Sequence, residues 1–406
     1  MEQRTVSRLL LWSCNAAMVG VAAAVNVTPV CLSSVAEKFG LDYSQQGILL
    51  GCTFWGFIIA LFLVGPLSDR YGPRPFFYWS AFMQIGGFLL LALAWNYPTL
   101  AFGATLAGLG AGILETLLTP VICETFPTRK TSAVNRLHSF YALGAVGVIL
   151  LTSGILRCFG HNGDGQGWRW AYTAMLVVPI TFGVGFFLCF RIYRIRVSYP
   201  HSESYTHTLK RLRCVWFFVF AGAMLCAGGT ELGAAQWLPS YLEKVLSFSR
   251  ETGAAGLLLL SLAMGLGRIT GGWVANYLSA PAMLILAGVM CAGCLIAAGI
   301  SSSGVLTIMI FLVFGFFVGW MWPTTMAIAS EAFPRTGSTM FALLAVSGNG
   351  GGIVFPGAVG FLAERFDLRI AMSSLAVIPC VVSTVFFLWR LRQHRRGPVA
   401  IPSTEP

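Results

Sequence analysis

The chain has 406 residues, of which 56% are hydrophobic and 10% charged, with 46 glycines and a formal net charge of +11. A soluble globule wets its surface with about 25% charged residues, so this composition excludes one. The positive balance does not point to nucleic acid either, because the basic residues gather in the gaps between apolar runs and report membrane topology.

A bilayer-spanning helix needs about 20 mainly apolar residues. Runs of that kind begin near residues 9, 45, 76, 99, 133, 168, 214, 252, 281, 305, 339 and 369, and the last six starts follow the first six by 200 to 207 residues. The pattern predicts an all-α membrane protein of twelve transmembrane helices in two six-helix halves. Residues 1–190 form the expected N-terminal bundle, 191–213 a basic cytoplasmic linker, 214–391 the C-terminal bundle and 392–406 a cytoplasmic tail. Runs such as Gly256 to Gly267 are apolar nearly throughout, without the alternation of a transmembrane strand. The first run has no small-residue cleavage site and reads as the first span.

Along the chain, the second run ends in Gly65-Pro66-Leu67-Ser68-Asp69-Arg70-Tyr71-Gly72-Pro73-Arg74, where Gly65 and Gly72 predict a tight reversal held on the cytoplasmic face by its basic residues. Asp69 is placed to cap a helix N-terminus. In the fourth run Glu115 falls near mid-membrane, where a carboxylate costs a few kcal/mol unless it faces a cavity or a partner. Its neutral form can hydrogen-bond a hydroxyl, which makes it a candidate for both substrate and proton binding. In the fifth run Asn135 and His138 stand three apart and share a helical face. The stretch Arg191 to Arg213 carries Arg191, Arg194, Arg196, Lys210, Arg211 and Arg213 against Glu203, and should lie irregularly near anionic headgroups.

Glu231 is the intramembrane acid of the seventh run. The flanking Gly228, Gly229 and Gly233 predict a locally weakened helix that exposes its carbonyls. Trp237, Tyr241, Trp320 and Trp322 offer flat faces with polar handles on which a sugar ring can stack. Cys291 and Cys294 sit in an apolar stretch and read as small packing residues, and the cysteines as a whole suggest no disulfide framework. The duplication is visible in the residues themselves. The Gly65–Arg70 stretch recurs 207 residues later as Gly272-Trp273-Val274-Ala275-Asn276-Tyr277, Glu124-Thr125-Phe126-Pro127 as Glu331-Ala332-Phe333-Pro334, and Gly108 and Gly112 as Gly315 and Gly319. Glycines four apart allow close helix contact in lipid. At the same offset Trp322 stands opposite Glu115.

The Gly65 to Arg74 loop resembles the signature between helices two and three of the major facilitator superfamily. That resemblance implies a gating role for Asp69, supported by Gly65, Arg70, Gly72 and Arg74, with Asn276 and Tyr277 replacing the charge pair in the second copy. A narrower likeness lies in Gly110-Ala-Gly-Ile-Leu-Glu115-Thr-Leu-Leu-Thr-Pro120, in Asn135 to Ala145, and in Glu231 with Trp237 and Tyr241, which resemble the fucose-permease type of sugar:proton symporter. It implies substrate contact by Asn135, and by Asn26, which that group follows with a proton-coupling aspartate. Here Val27 follows, leaving Glu115, Glu231 and His138 as the candidate proton carriers.

These readings point to a secondary transporter of a small polar solute, expected to be a sugar, coupled to protons and working by rocking of two halves about a central site. The expected location is a bacterial inner membrane with both termini cytoplasmic, acting as a monomer without cofactor, metal or nucleic acid. An efflux antiporter of the same superfamily is the rival, but Gly144 to Gly154 lacks the Gly-Pro signature of drug exporters. A non-transporting sensor is the alternative from another class. An enzyme is disfavoured, since no Gly-x-Ser-x-Gly, HExxH or P-loop is present.

Overall fold

A computed structural model describes residues 2–125, 130–159, 166–193, 212–275, 277–333 and 337–396. Most of the expected linker, residues 194–211, and the tail from residue 397 lie outside the described residues. The helices are α1 (Glu2–Phe39), α2 (Tyr43–Tyr71), α3 (Arg74–Ala92), α4 (Tyr97–Thr125), α5 (Lys130–Phe159), α6 (Gly167–Met175) and α7 (Val177–Phe187). After the linker come α8 (Val215–Leu246), α9 (Arg250–Val274), α10 (Ala280–Ile300), α11 (Gly304–Ala332), α12 (Gly337–Arg365), α13 (Leu368–Ser374) and α14 (Val377–Arg396). Among the described residues, 12 stretches are long and apolar enough to cross a membrane, from Arg8–Phe39 to Leu368–Trp389. The all-helical, twelve-span architecture expected from the sequence is what the structure has.

Two of the spans are broken helices, α6 with α7 and α13 with α14, and proline explains both. Pro179 and Pro379 have no N–H to donate to the residue four back, and the helices end at Met175 and Ser374 respectively.

The chain divides into two compact units, one of Met1–His201 with Leu238–Leu258, the other of Ser202–Trp237 with Leu259–Pro406. In the first, α2 crosses α4 at contact distance of their backbones. A Cβ built on Gly108 would lie 1.9 Å from the Thr53 carbonyl oxygen, and one on Gly112 would lie 2.7 Å from the Phe57 Cα. In the second unit α9 crosses α11 in the same way. A Cβ on Gly315 would lie 2.8 Å from the Leu260 carbonyl oxygen, and one on Gly319 would lie 2.6 Å from that of Met264. Thr53 and Leu260, like Phe57 and Met264, are 207 residues apart, so the duplication extends to individual contacts. Where lipid removes the hydrophobic drive for helix association, such close dispersion contact holds the helices together.

An arginine clamp is repeated too. Arg169 donates from both terminal nitrogens to the carbonyls of Ala92 and Ala94, each at 2.8 Å, satisfying orphan acceptors at the end of α3. In the second unit Arg369 donates from Nη1 to the carbonyls of Gly299 and Ser301 at the end of α10, at 3.3 and 2.6 Å. The acceptors again differ by 207 positions.

Within the first unit, Arg250 at the start of α9 bonds Glu37, the Ser34 hydroxyl at 3.0 Å and Glu243 at 3.3 Å, and the Lys244 ammonium lies 4.9 Å above the Tyr43 ring. These charges fasten the Leu238–Leu258 segment to α1 and α2.

Because the glycine crossings admit no side chain, Gly108→Val and Gly315→Val should each destabilise the protein by about 1–3 kcal/mol. Gly147→Ala, with nothing within 4 Å of its Cβ, should stay within about 0.5 kcal/mol of the parent. Unfolding of the purified protein in detergent measures all three.

Candidate functional site

The Gly65 to Arg74 stretch is built differently from its sequence reading. Gly65 is interior to α2, which runs on to Tyr71, and only Gly72 makes the reversal, at φ 77°, with its N–H donating to the Ser68 carbonyl at 2.8 Å. A left-handed φ suits the residue without a Cβ, whereas Gly65 needs no such freedom. Arg74 opens α3 with its guanidinium 5.8 Å from the centre of the Phe190 ring. The side chains of Asp69 and Arg70 lie outside the described residues, as does Asn276.

Among the expected substrate residues of the first unit, Asn26 is buried in α1, where its amide donates to the Ala22 carbonyl one turn back at 2.9 Å. That bond orients the side chain along its own helix. Glu115 is partly buried in α4 and has no hydrogen bond or ion pair among the described residues. Asn135 and His138 stand on α5, but their side chains lie outside the described residues. Tyr241, near the end of α8, is fully buried.

In the second unit, α8 is unbroken through Gly228, Gly229 and Gly233, so the expected weakening around Glu231 is absent. These glycines serve close packing instead. A Cβ on Gly228 would lie 2.2 Å from the Gly348 carbonyl oxygen, and one on Gly229 would strike the Phe355 ring at 1.9 Å, so α8 and α12 nearly touch. Gly348 in turn carries the partly buried Trp322 of α11, whose indole lies 2.4 Å from where a Cβ would stand. Glu231 is one turn on from Gly228, which brings the acid and Trp322 to one region of α8, α11 and α12. Trp237 is fully buried and donates its indole N–H to the Pro356 carbonyl at 3.0 Å. Trp320 is also buried, beside Gly271. Packing thus occupies the two fully buried aromatics, Trp237 and Tyr241, more completely than Trp322.

The residue that sequence reasoning missed is Arg268 of α9. Its Nη2 donates to both carboxylate oxygens of Glu231, at 2.9 and 3.1 Å, in a charge-assisted bond. The Glu231 side chain is 12% exposed and that of Arg268 37%. The carboxylate is therefore sheltered while the guanidinium keeps an open side. Arg268 follows an apolar run, where a basic residue reads as a headgroup anchor, yet α9 continues six residues beyond it to Val274. At the equivalent positions 207 residues earlier stand Ala24 and Leu61, so the ion pair is an addition to one copy of a repeated frame.

The family described as the Major Facilitator Superfamily matches residues 14–335 and 259–406. An MFS-type transporter of Yersinia pestis is 24% identical over 350 residues, spanning 85% of this chain and 87% of that protein. A D-xylose transporter of Levilactobacillus brevis is 23% identical over 175 residues, 43% of this chain and 37% of its own length. Among solved structures, an inward-facing bacterial homologue of the human lysosomal transporter Spinster aligns with a TM-score of 0.79 at 14% identity, over 94% of this chain and 96% of the other, a likeness of fold.

Removing one partner of a sheltered ion pair leaves an uncompensated charge. With Arg268 more than a third exposed, Arg268→Ala should cost about 2 kcal/mol rather than the larger value of a fully buried pair. Replacing both residues, as Glu231→Gln with Arg268→Gln, should recover part of that loss. A double-mutant cycle on unfolding in detergent checks the order.

Proposed function

Because the chain belongs to the Major Facilitator Superfamily, we propose that it is a secondary active transporter carrying a small polar solute of the sugar class together with a proton. It is a multi-pass membrane transporter and not an enzyme. The single observation that carries the finer reading is the sheltered Glu231 held by Arg268 within membrane-spanning helices. Ionisable side chains there are costly and mark solute or proton pathways.

Glu115, Glu231 and His138 are the proposed proton carriers. Glu115, Asn135, His138, Glu231, Trp237, Tyr241, Trp322 and Asn26 are the proposed solute contacts. Gly72 and Arg74 shape the reversal after α2, and Asp69 and Arg70 in the last turn of that helix gate the change of access. The D-xylose relative supports a sugar as cargo over part of the chain. The placement of basic residues supports cytoplasmic termini in a bacterial inner membrane, and one copy of the chain is taken as the working unit.

Uptake of labelled D-xylose into proteoliposomes under an imposed proton gradient tests this reading. Glu115→Gln should lower gradient-driven accumulation by at least about tenfold, the range seen when a proton-transferring group is lost. Exchange of internal for external solute, which needs no net proton movement, should persist. Unchanged accumulation would remove Glu115 from coupling.

A further inference from the structure

The Glu231–Arg268 pair is lopsided in a way that bears on what the transporter carries. A guanidinium stays charged at any physiological pH and presents donors in a planar fork. A glutamate can be neutralised by one proton. In a low-dielectric span Arg268 must therefore always have an anion beside it, whereas Glu231 needs no cation once protonated.

The geometry suits exchange of that anion. Nη2 bridges the two oxygens of Glu231, at 2.9 and 3.1 Å, whereas the arrangement that binds carboxylate best sets two nitrogens parallel to two oxygens. The exposed member of the pair is the arginine, at 37%, so the guanidinium is the side of the pair open to a second anion. Among the described residues, the groups of α12 that meet this stretch of α8 are uncharged, namely Gly348 and the Phe355 ring, with the Trp322 indole of α11 packed on Gly348. Arg268, from α9, is thus the charge recorded against Glu231.

We propose that Arg268 is an anion-binding residue and that the transported solute carries a carboxylate, which replaces Glu231 on Arg268 as Glu231 takes up a proton. The step balances. A proton from the aqueous side bonds to a Glu231 carboxylate oxygen, the Arg268 hydrogen bonds pass from Glu231 to the solute, and the net charge of the site is the same before and after. Release reverses both transfers, so solute and proton leave together. The proposal rests on the transport reading above and narrows its cargo from sugars to hydroxylated acids of the sugar-acid type, whose ring or chain Trp322 can cover.

Matched probes that differ in charge test it on the purified full chain. Thermal unfolding is followed with D-gluconate against D-glucose, D-xylonate against D-xylose, and D-galacturonate against D-galactose, at mildly acidic and mildly alkaline pH. The acid of at least one pair should stabilise the protein more than its neutral partner, with affinity about tenfold higher at acidic pH, where Glu231 gains its proton more readily. Glu231→Gln, which mimics the protonated residue, should bind that acid at both pH values and lose the pH dependence. Arg268→Lys should weaken acid binding about tenfold or more, since an ammonium lacks the fork. Its own unfolding midpoint, measured without probe, shows whether the variant is folded. Equal stabilisation by acid and neutral partner, no stabilisation by any acid, or acid binding indifferent to both substitutions would each overturn the proposal. If neutral sugars are still accumulated in any of those cases, the transport reading survives and the carboxylate cargo alone fails. If neither class is bound or accumulated, both fail.

Discussion

A guanidinium held in a membrane-spanning helix must keep an anion within hydrogen-bonding reach, because hydrocarbon supplies no water to replace it. Arg268 meets this demand through Glu231, and the chemistry of the site follows from it. A permanent cation fixes the sign of the partner, while a titratable carboxylate allows that partner to be released. The same requirement explains why α8 and α9 carry the pair where one side chain is sheltered and the other open. Enclosing both would forbid exchange, and exposing both would let solvent and salt dissipate the attraction.

Around this pair stands a frame that is largely written twice. The α2–α4 and α9–α11 glycine crossings, the Arg169 and Arg369 clamps and the Pro179 and Pro379 breaks recur between the units. They do mechanical work: bringing backbones together, satisfying helix-end carbonyls and bending the sixth and twelfth spans. The charges of the candidate site do not repeat. Glu231 and Arg268 answer to Ala24 and Leu61, and Glu115 answers to Trp322. Symmetric residues build the helical body, and asymmetric ones set the two units apart.

The architecture was legible because lipid forces it. Length and apolarity locate spans almost independently of side-chain detail, and the 207-residue offset survives in glycines that no larger residue can replace. Subtler features were hidden. Gly65 and Gly72 look alike in sequence, yet only Gly72 has a positive φ, because helix α2 extends past the first and ends at the second. The glycines around Glu231 signal backbone freedom in isolation, but the surface of α12 that meets them comes from more than a hundred residues away. Arg268 was the costliest omission. Its role depends on α9 continuing beyond it and on Glu231 lying across from it, and neither is a local property of the sequence.

The account stands on Glu231 gaining a proton when an anion takes its place on Arg268, and that exchange can be measured without transport. Protein in lightly buffered detergent solution is mixed with the sugar acid that stabilises it, and a pH indicator reports the protons taken up. The account predicts an uptake approaching about one proton per solute bound where Glu231 begins ionised, and none in Glu231→Gln, since linkage equates the protons gained with the change in ionisation. Binding of the acid with no proton uptake in the unaltered protein would contradict it.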